Sequence, residues 1–371
     1  MLAQSAIPPP DPLGLPAPAW LLQILYLLTL SIHIVFMNFV VGGSLLTVAN
    51  RIAAIRGNQF FHLLNDRIGK AIPPAISLTI TFGVAPLLFV QALYGHLFYT
   101  TNILLGHWWL AVVIALLAGF YMSYLHTRTG PLWWLLSIPT ALLFVYIAVV
   151  FTANAQLLAN PDRWLTMGDN DLLGAMNDRQ FWPRLMHNLG GAMVISGIWV
   201  AWLGRASAKR FGMPFSHRAI RYGMGLTVVF VLVQAVVGGW YLLTLQINEL
   251  VAIFDFSNLA AWLFVVALIA VAVLLMTAMM PLIDPRRGTL VLPTAAAGIV
   301  LIGMVTVRER LRTFQLEGHF QLSQWDVRAQ WSPMLLFFGT LVVALAVLIW
   351  LKLAWNRAAN SRGSEMNHEG D

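Results

Sequence analysis

The chain has 371 residues, of which 59% are hydrophobic and only 10% charged. A soluble globular chain carries about 25% charged residues, so this composition excludes a soluble enzyme, a nucleic-acid binder and a disordered hub. The net charge is +7 and cysteine is absent. That removes disulfides, thiolate metal sites, covalent c-type haem and iron–sulfur ligation, and leaves nine histidines as the strong neutral metal ligands.

A membrane span needs about 20 apolar residues, and nine runs in the chain qualify: Trp20–Asn50, Ala71–Tyr99, His107–His126, Pro131–Ala155, Arg184–Gly204, Ala219–Gln246, Asn258–Ile283, Thr289–Val307 and Pro333–Trp355. The predicted fold is an all-α polytopic membrane protein of nine transmembrane helices. Residues 1–19 read as a Pro-rich outer tail and 20–355 as the membrane domain. Within it, 20–155 form a first four-helix unit, 184–307 a second, and 333–355 a ninth helix. Residues 356–371 read as a disordered, polar inner tail. Pro86 and Pro139 fall inside the second and fourth runs and are predicted to kink them. The first run is too long for a signal peptide and is read as an uncleaved span.

Lys and Arg crowd the loops after the odd-numbered runs and the C-terminal tail, among them Arg51, Arg56, Arg67, Lys70, Arg205, Lys209, Arg210, Arg218, Arg221, Arg286 and Arg287. By the positive-inside rule the N-terminus is outside and the C-terminus inside. In a prokaryote this means a multi-pass protein of the inner (cytoplasmic) membrane, with its N-terminus in the periplasm. Every carboxylate falls in a loop or tail by these boundaries. That counts against a proton pump or a proton-coupled transporter, which place Asp or Glu within the membrane.

With this orientation His33, His96, His107, His187 and His319 lie in the outer half. His33 is the deepest, about 20 Å along the first helix at 1.5 Å per residue. A buried ionisable group in a span is a functional candidate, although a lone buried histidine often only bonds a neighbouring helix. His187 opens the fifth run in Arg184-Leu-Met-His-Asn-Leu-Gly-Gly-Ala. Gly190 and Gly191 follow on its face, leaving room for a flat macrocycle or for close helix packing. His96 and His107 flank the short outer turn between the second and third runs and could share a site. Arg308, Arg310 and Arg312 cluster where the eighth run leaves the membrane. They suit haem propionates, or lipid headgroups, or pairing with Glu309 and Glu317.

These segments resemble cytochrome bd quinol oxidase subunit I. The resemblance rests on nine runs with an outside N-terminus and on the histidine in Leu30-Ser-Ile-His-Ile-Val-Phe. It rests too on Thr152-Ala-Asn-Ala-Gln with Asn160-Pro161, and most specifically on Arg184-Leu-Met-His-Asn-Leu-Gly-Gly-Ala-Met-Val-Ile-Ser-Gly-Ile-Trp. Phe82-Gly-Val-Ala-Pro-Leu-Leu-Phe-Val-Gln-Ala-Leu-Tyr-Gly resembles bd-like cytochromes that work with periplasmic c-type cytochromes. The resemblance implies that His33 matches the family's active-site haem ligand and His187 a ligand of its low-spin haem b. It has gaps. The seventh run lacks a Met or His near its outer end, the third lacks paired glutamates, and the end of the eighth offers Arg308 and Glu309 in place of a ligand Glu. The quinol loop shrinks to about Ile247–Ser257. His187 or His33 could instead pair with His96 or His107.

The expected function is a haem-b membrane subunit of a quinol/quinone oxidoreductase complex. It would pass electrons between membrane quinone and an outer-side partner such as a c-type cytochrome, inside a hetero-oligomer embedded in lipid. His33, His187, His96 and His107 are the candidate iron ligands, and Arg308, Arg310 and Arg312 the candidate propionate partners. Gln91 and Asn38 are bare candidates for quinone. The alternatives are a terminal quinol oxidase subunit, a haem-less anchor of a respiratory complex docking through Asp162–Asp178, and a secondary transporter.

Overall fold

The structure is a computed structural model, which describes residues 8, 14–55, 57–126, 134–286, 288–322 and 325–368. Arg56 and Arg287 of the basic loops lie outside the described residues, as does most of the N-terminal tail. Eleven α-helices follow in chain order: α1 (Ala19–Ile55), α2 (Gln59–Leu105), α3 (His107–His126), α4 (Trp134–Ala159), α5 (Leu172–Met176), α6 (Phe181–Ala206), α7 (Ala208–Thr244), α8 (Ile247–Ile253), α9 (Leu259–Ile283), α10 (Val291–Gln315) and α11 (Trp331–His368). Among the described residues eight are long and apolar enough to cross a membrane: α1, α2, α3, α4, α6, α7, α9 and α10. The chain is a multi-pass membrane protein. Helices are the natural outcome of such runs, because every backbone polar group must be satisfied within the segment.

Two structural units are present. Ala19–Trp325 belong to one, and Leu13–Pro18 with Asp326–Asp371 to the other. Both groups of four expected helices therefore lie in a single unit. In it α1 packs chiefly on α2, α3 on α4, α6 on α7 and α9 on α10, while α1 against α6 joins the two groups. In the second unit, Leu15 and Val327 form a parallel bridge, held by Leu15 N–H to Asp326 O at 2.8 Å and Arg328 N–H to Leu15 O at 2.9 Å. The expected ninth span lies in α11, whose apolar stretch Trp331–Val343 is short of a span by itself. The α11 helix continues through His368, so most of the expected disordered tail is helical. Its Ala, Arg, Glu and Met residues are compatible with that.

Helices pack where side chains are small, as membrane interfaces require. A Cβ on Gly197 of α6 would sit 2.6 Å from the Gly223 carbonyl oxygen of α7, and one on Gly303 of α10 would sit 2.6 Å from Ala267 Cβ of α9. Gly42 of α1 has no room beside Ala192 O and Ser196 Oγ of α6. Leu46, Leu64, Ile68, Ile76 and Val200 form one fully buried cluster around these contacts. Met224, Leu274, Ala278 and Leu290 form another.

Pro86 and Pro139 lie within α2 and α4 with helical torsions, and the torsions of α2 break at Tyr94 (φ −136°, ψ 27°). In a membrane helix, neighbouring helices and Ser/Thr hydroxyls take up what a proline frees. One expectation is corrected: α10, expected to end at Val307, is helical to Gln315. It therefore carries Glu309, which is 6% exposed, so a buried carboxylate does stand in a spanning helix.

Candidate functional site

His33 lies on the face of α1 turned to α2. Its Nδ1 is 2.9 Å from the carbonyl oxygen of Thr79. A carbonyl only accepts, so the neutral ring carries its proton on Nδ1 and presents an Nε2 lone pair. No hydrogen bond to Nε2 is made among the described residues. Gly83 makes the contact possible, since a Cβ there would fall 2.8 Å from both His33 Cε1 and Nδ1. A histidine whose second nitrogen is fixed by a carbonyl is the usual arrangement of a metal-ligating imidazole.

His187 sits near the start of α6 against α7. Its Nδ1 is buried without a hydrogen-bond partner, and its ring lies against Gly238 of α7, where a Cβ would make ordinary contact at 3.5 Å from Cε1. The room beside Gly190 and Gly191 is taken by Gln234 of α7, whose Oε1 would be 2.7 Å from a Cβ on Gly190. Gln234 Nε2 also donates to the His187 carbonyl at 2.8 Å. The glycine pair thus serves close helix packing.

His96 is the third inward histidine. Both its ring nitrogens are buried without partners. The ring stands edge-on to Phe320 at 4.7 Å and to Trp325 at 5.9 Å. His107 differs. It is exposed at the start of α3, with its ring beside Trp108 and its backbone N–H bonded to Asn170 Oδ1 at 3.0 Å. The rings of His96 and His107 meet different neighbours, Phe320 and Trp325 for the first and Trp108 for the second. His319 pairs with Asp162 at 3.2 Å. Among the described residues no cluster of three or more His, Asp or Glu could hold a bare metal ion.

The three arginines of α10 have separate fates. Arg312 is 7% exposed. It pairs with Glu309, donates to Tyr26 Oη at 3.0 Å and lies over the Tyr94 ring at 4.7 Å. Tyr94 Oη donates to Glu309 Oε1 at 2.6 Å, so both carboxylate oxygens are occupied. Arg310 stands 3.9 Å from Asp255, whose carboxyl is held below the usual carboxylate range by the Ser257 hydroxyl and then by the Ser257 backbone N–H. Arg308 is exposed and has no hydrogen bond or ion pair among the described residues. It lies within electrostatic reach of Arg184 of α6, which donates to Tyr241 Oη at 2.6 Å. Arg184 lies one helical turn before His187 on α6.

Other motif residues brace the bundle. Asn154 of α4 donates to Thr101 Oγ1 at 2.9 Å and to Asn102 Oδ1 at 2.7 Å, both on α2. Gln156 donates to Asp178 Oδ1 at 3.2 Å, and Arg163 to Asp178 Oδ2 at 2.6 Å. The short loop read as a reduced quinol site forms α8. There Glu249 caps the Gln246 backbone N–H at 2.6 Å and accepts Gln315 Nε2 of α10 at 2.5 Å.

No family model matches this sequence, and no curated protein matches it. A solved structure does: the bd oxidase from Geobacillus thermodenitrificans, at 16% identity and a TM-score of 0.67, covering 90% of this chain and 96% of that one.

This chain has the bd oxidase fold.

On the bd oxidase fold the sequence-derived histidines divide into three that face the interior (His33, His96, His187) and one at the surface (His107). Sequence reading offered Glu309 as one partner of the α10 arginines and missed Tyr26, Tyr94 and Gln234. The signal for the pair was the Glu309/Arg312 spacing of three, which aligns opposite charges on one helical face. A haem fits the donor set: His33 offers an oriented Nε2, and His96 and His187 offer buried nitrogens that have no hydrogen-bond partner among the described residues. An unpaired buried nitrogen costs on the order of 1–3 kcal/mol, so such groups call for a partner.

Proposed function

We propose that the chain is a haem-b membrane cytochrome subunit that moves electrons between membrane quinone and a redox partner on the side where α2 ends and α6 begins. The observation that carries this reading is a set of three inward imidazoles on a bd oxidase fold: His33, whose Nδ1 is fixed by Thr79 and whose Nε2 makes no hydrogen bond among the described residues, and His96 and His187, which have buried ring nitrogens without partners. A bound haem b supplies one-electron redox chemistry whose potential its axial ligands and surroundings tune. The protein's own residues do the rest. Thr79 fixes the His33 tautomer, Gln234 holds the backbone of His187, and Phe320 and Trp325 shield His96 from water. Arg308 and Arg184 present positive charge suited to carboxylate groups of the cofactor. Glu309 is already bonded to Tyr94 and Arg312, which disfavours its use as a free proton relay and favours electron transfer over oxygen reduction. The periplasmic side, the inner membrane and a c-type cytochrome as partner belong to the same proposal. They rest on the charge asymmetry of the loops and on the resemblance given above.

The test is a reduced-minus-oxidised spectrum of the purified protein with a pyridine haemochrome assay. A b-type α band that diminishes in His187→Ala and in His33→Ala supports the reading. A preparation that is folded and haem-free in both assays sinks it, and a d-type signal with oxygen uptake replaces it by an oxidase. Gly83→Ala is a finer probe. Its methyl group would collide with the His33 ring, displace the Thr79 bond and shift the midpoint potential of the associated band by tens of millivolts, since about 59 mV corresponds to tenfold in a one-electron equilibrium. An unchanged potential with His33→Ala still losing the band would separate ligation from the carbonyl clamp.

A further inference from the structure

The basic end of α7 contains a depression that the electron-transfer reading does not use. It is open, holds about 560 Å³, and is lined by Met213, Pro214, His217, Arg218, Arg221 and Arg286. Four of these, Pro214, His217, Arg218 and Arg221, follow at intervals of three, one and three, so they share one face of α7. Arg286 comes from the turn after α9.

Three features make this a site for an anion. First, the guanidinium groups are only lightly engaged. Arg218 lies over the Phe60 ring at 4.3 Å, Arg221 donates one bond, 3.2 Å to the Ile283 carbonyl, and the Arg286 side chain makes no hydrogen bond or ion pair among the described residues. Neighbouring cations differ: Arg67 donates to Ser207 Oγ and Arg205 to the Gly288 carbonyl, each at 3.0 Å. Second, His217 Nε2 is buried and has no partner. Third, the backbone breaks at Gly212 (φ 82°, ψ 165°), a conformation glycine adopts without strain. The main segment of α7 therefore begins at Met213 with Pro214 in its first turn, where a missing N–H costs nothing. Its positive end adds to the arginine charge. No carboxylate is among the lining residues, and Asp284 Oδ1 beside Arg286 accepts its backbone N–H at 3.0 Å.

The surroundings select among anions. Exposed Met213 (55%) lines the depression, and exposed Ile283 (69%) carries the carbonyl that Arg221 bonds. An apolar rim beside a cationic hollow at a helix end fits an amphiphile, and basic pockets between spanning helices are where anionic headgroups bind.

We propose that this depression binds the phosphate of an anionic phospholipid, with Arg218, Arg221 and Arg286 on the headgroup and the acyl chains along the exposed faces of α7 and α9. The shared chemistry with free phosphate is the bidentate guanidinium contact, so the experiment must tell the two apart.

The test uses the full chain in detergent and native mass spectrometry. Phosphatidylglycerol is expected to stay bound at about tenfold lower concentration than phosphatidylcholine. Arg221→Gln/Arg286→Gln should abolish that preference, leaving Phe60 stacked on Arg218. Circular dichroism in phosphatidylcholine nanodiscs checks that the variant is folded. If it is not, a titration of the wild type with phosphatidylglycerol and then with inorganic phosphate decides. Displacement by phosphate at equal concentration would reassign the hollow to a free anion and overturn the lipid proposal. Equal retention of both lipids, or an undiminished preference in the folded double variant, would also overturn it.

Discussion

Arg312→Ala is expected to lower stability by about 3–5 kcal/mol and to cut the yield of folded protein sharply. The Arg312 and Glu309 side chains are each only 8% exposed, in a helix where water is scarce. Removing the guanidinium leaves Glu309 as a buried carboxylate with a single donor, Tyr94. Breaking one side of a buried pair costs far more than removing the pair, because the remaining charge is uncompensated. Arg312→Ala/Glu309→Gln should therefore recover most of the loss, since a neutral amide can still accept the Tyr94 hydroxyl. Thermal unfolding of the three proteins in one detergent, read by circular dichroism, checks this. A single variant as stable as the parent, or a double variant no better than the single, would show that the pair does not hold α10.

The second large effect is expected at the α6–α7 crossing. Gly197→Leu should destabilise by at least the roughly 1–3 kcal/mol typical of overpacking. A Cβ at Gly197 would lie 2.6 Å from both the Gly223 carbonyl oxygen and Thr227 Oγ1, and 2.9 Å from the Thr227 backbone nitrogen. Two of these are main-chain atoms and cannot rotate away, so the helices must separate. The damage would spread to the cluster of Ile198, Ala201, Ile220 and Met224. Gly239→Ala is the control. Nothing lies within 4 Å of a Cβ there, and exchanging a helical glycine for alanine gains roughly 0.5–1 kcal/mol. Opposite signs for the two substitutions in one unfolding assay are the expected result; similar losses at both would mean that glycine acts through backbone freedom and not through close approach.

The spanning helices were legible because run length alone separates a membrane helix from a loop, and the apolar runs are long. What sequence could not show was where each helix stops. Polar residues were taken as the limit of α10 at Val307, yet Arg308, Glu309, Arg310 and Arg312 continue it. They do so because Glu309 and Arg312 neutralise each other on one face and Tyr26 and Tyr94 reach them from other helices. Such pairing depends on residues 215 and 286 positions away in sequence, which no local pattern contains. The site was legible to the same depth. His33 and His187 stood out as ionisable groups in apolar runs. Their surroundings did not, since the Thr79 carbonyl is invisible in a list of residue types. The Gly190–Gly191 gap looked like space until Gln234 was seen to fill it. His96 and His107 looked equivalent in sequence, and only the direction each side chain takes separates them.

The break at Tyr94 divides α2, a helix of 47 residues, into a long shaft bearing the His33 contacts at Thr79 and Gly83 and a terminal piece bearing His96. A hinge between two rigid rods would normally let the shorter one swing. Here the hinge residue is pinned from across the bundle, through its hydroxyl to Glu309 and its ring beneath Arg312. The terminal piece is thus tied to α10 at Tyr94 and, through Asn154, to α4 at Thr101 and Asn102. His96 therefore sits in a short segment tied to two other helices, while the His33 ring is anchored on the long shaft by Thr79.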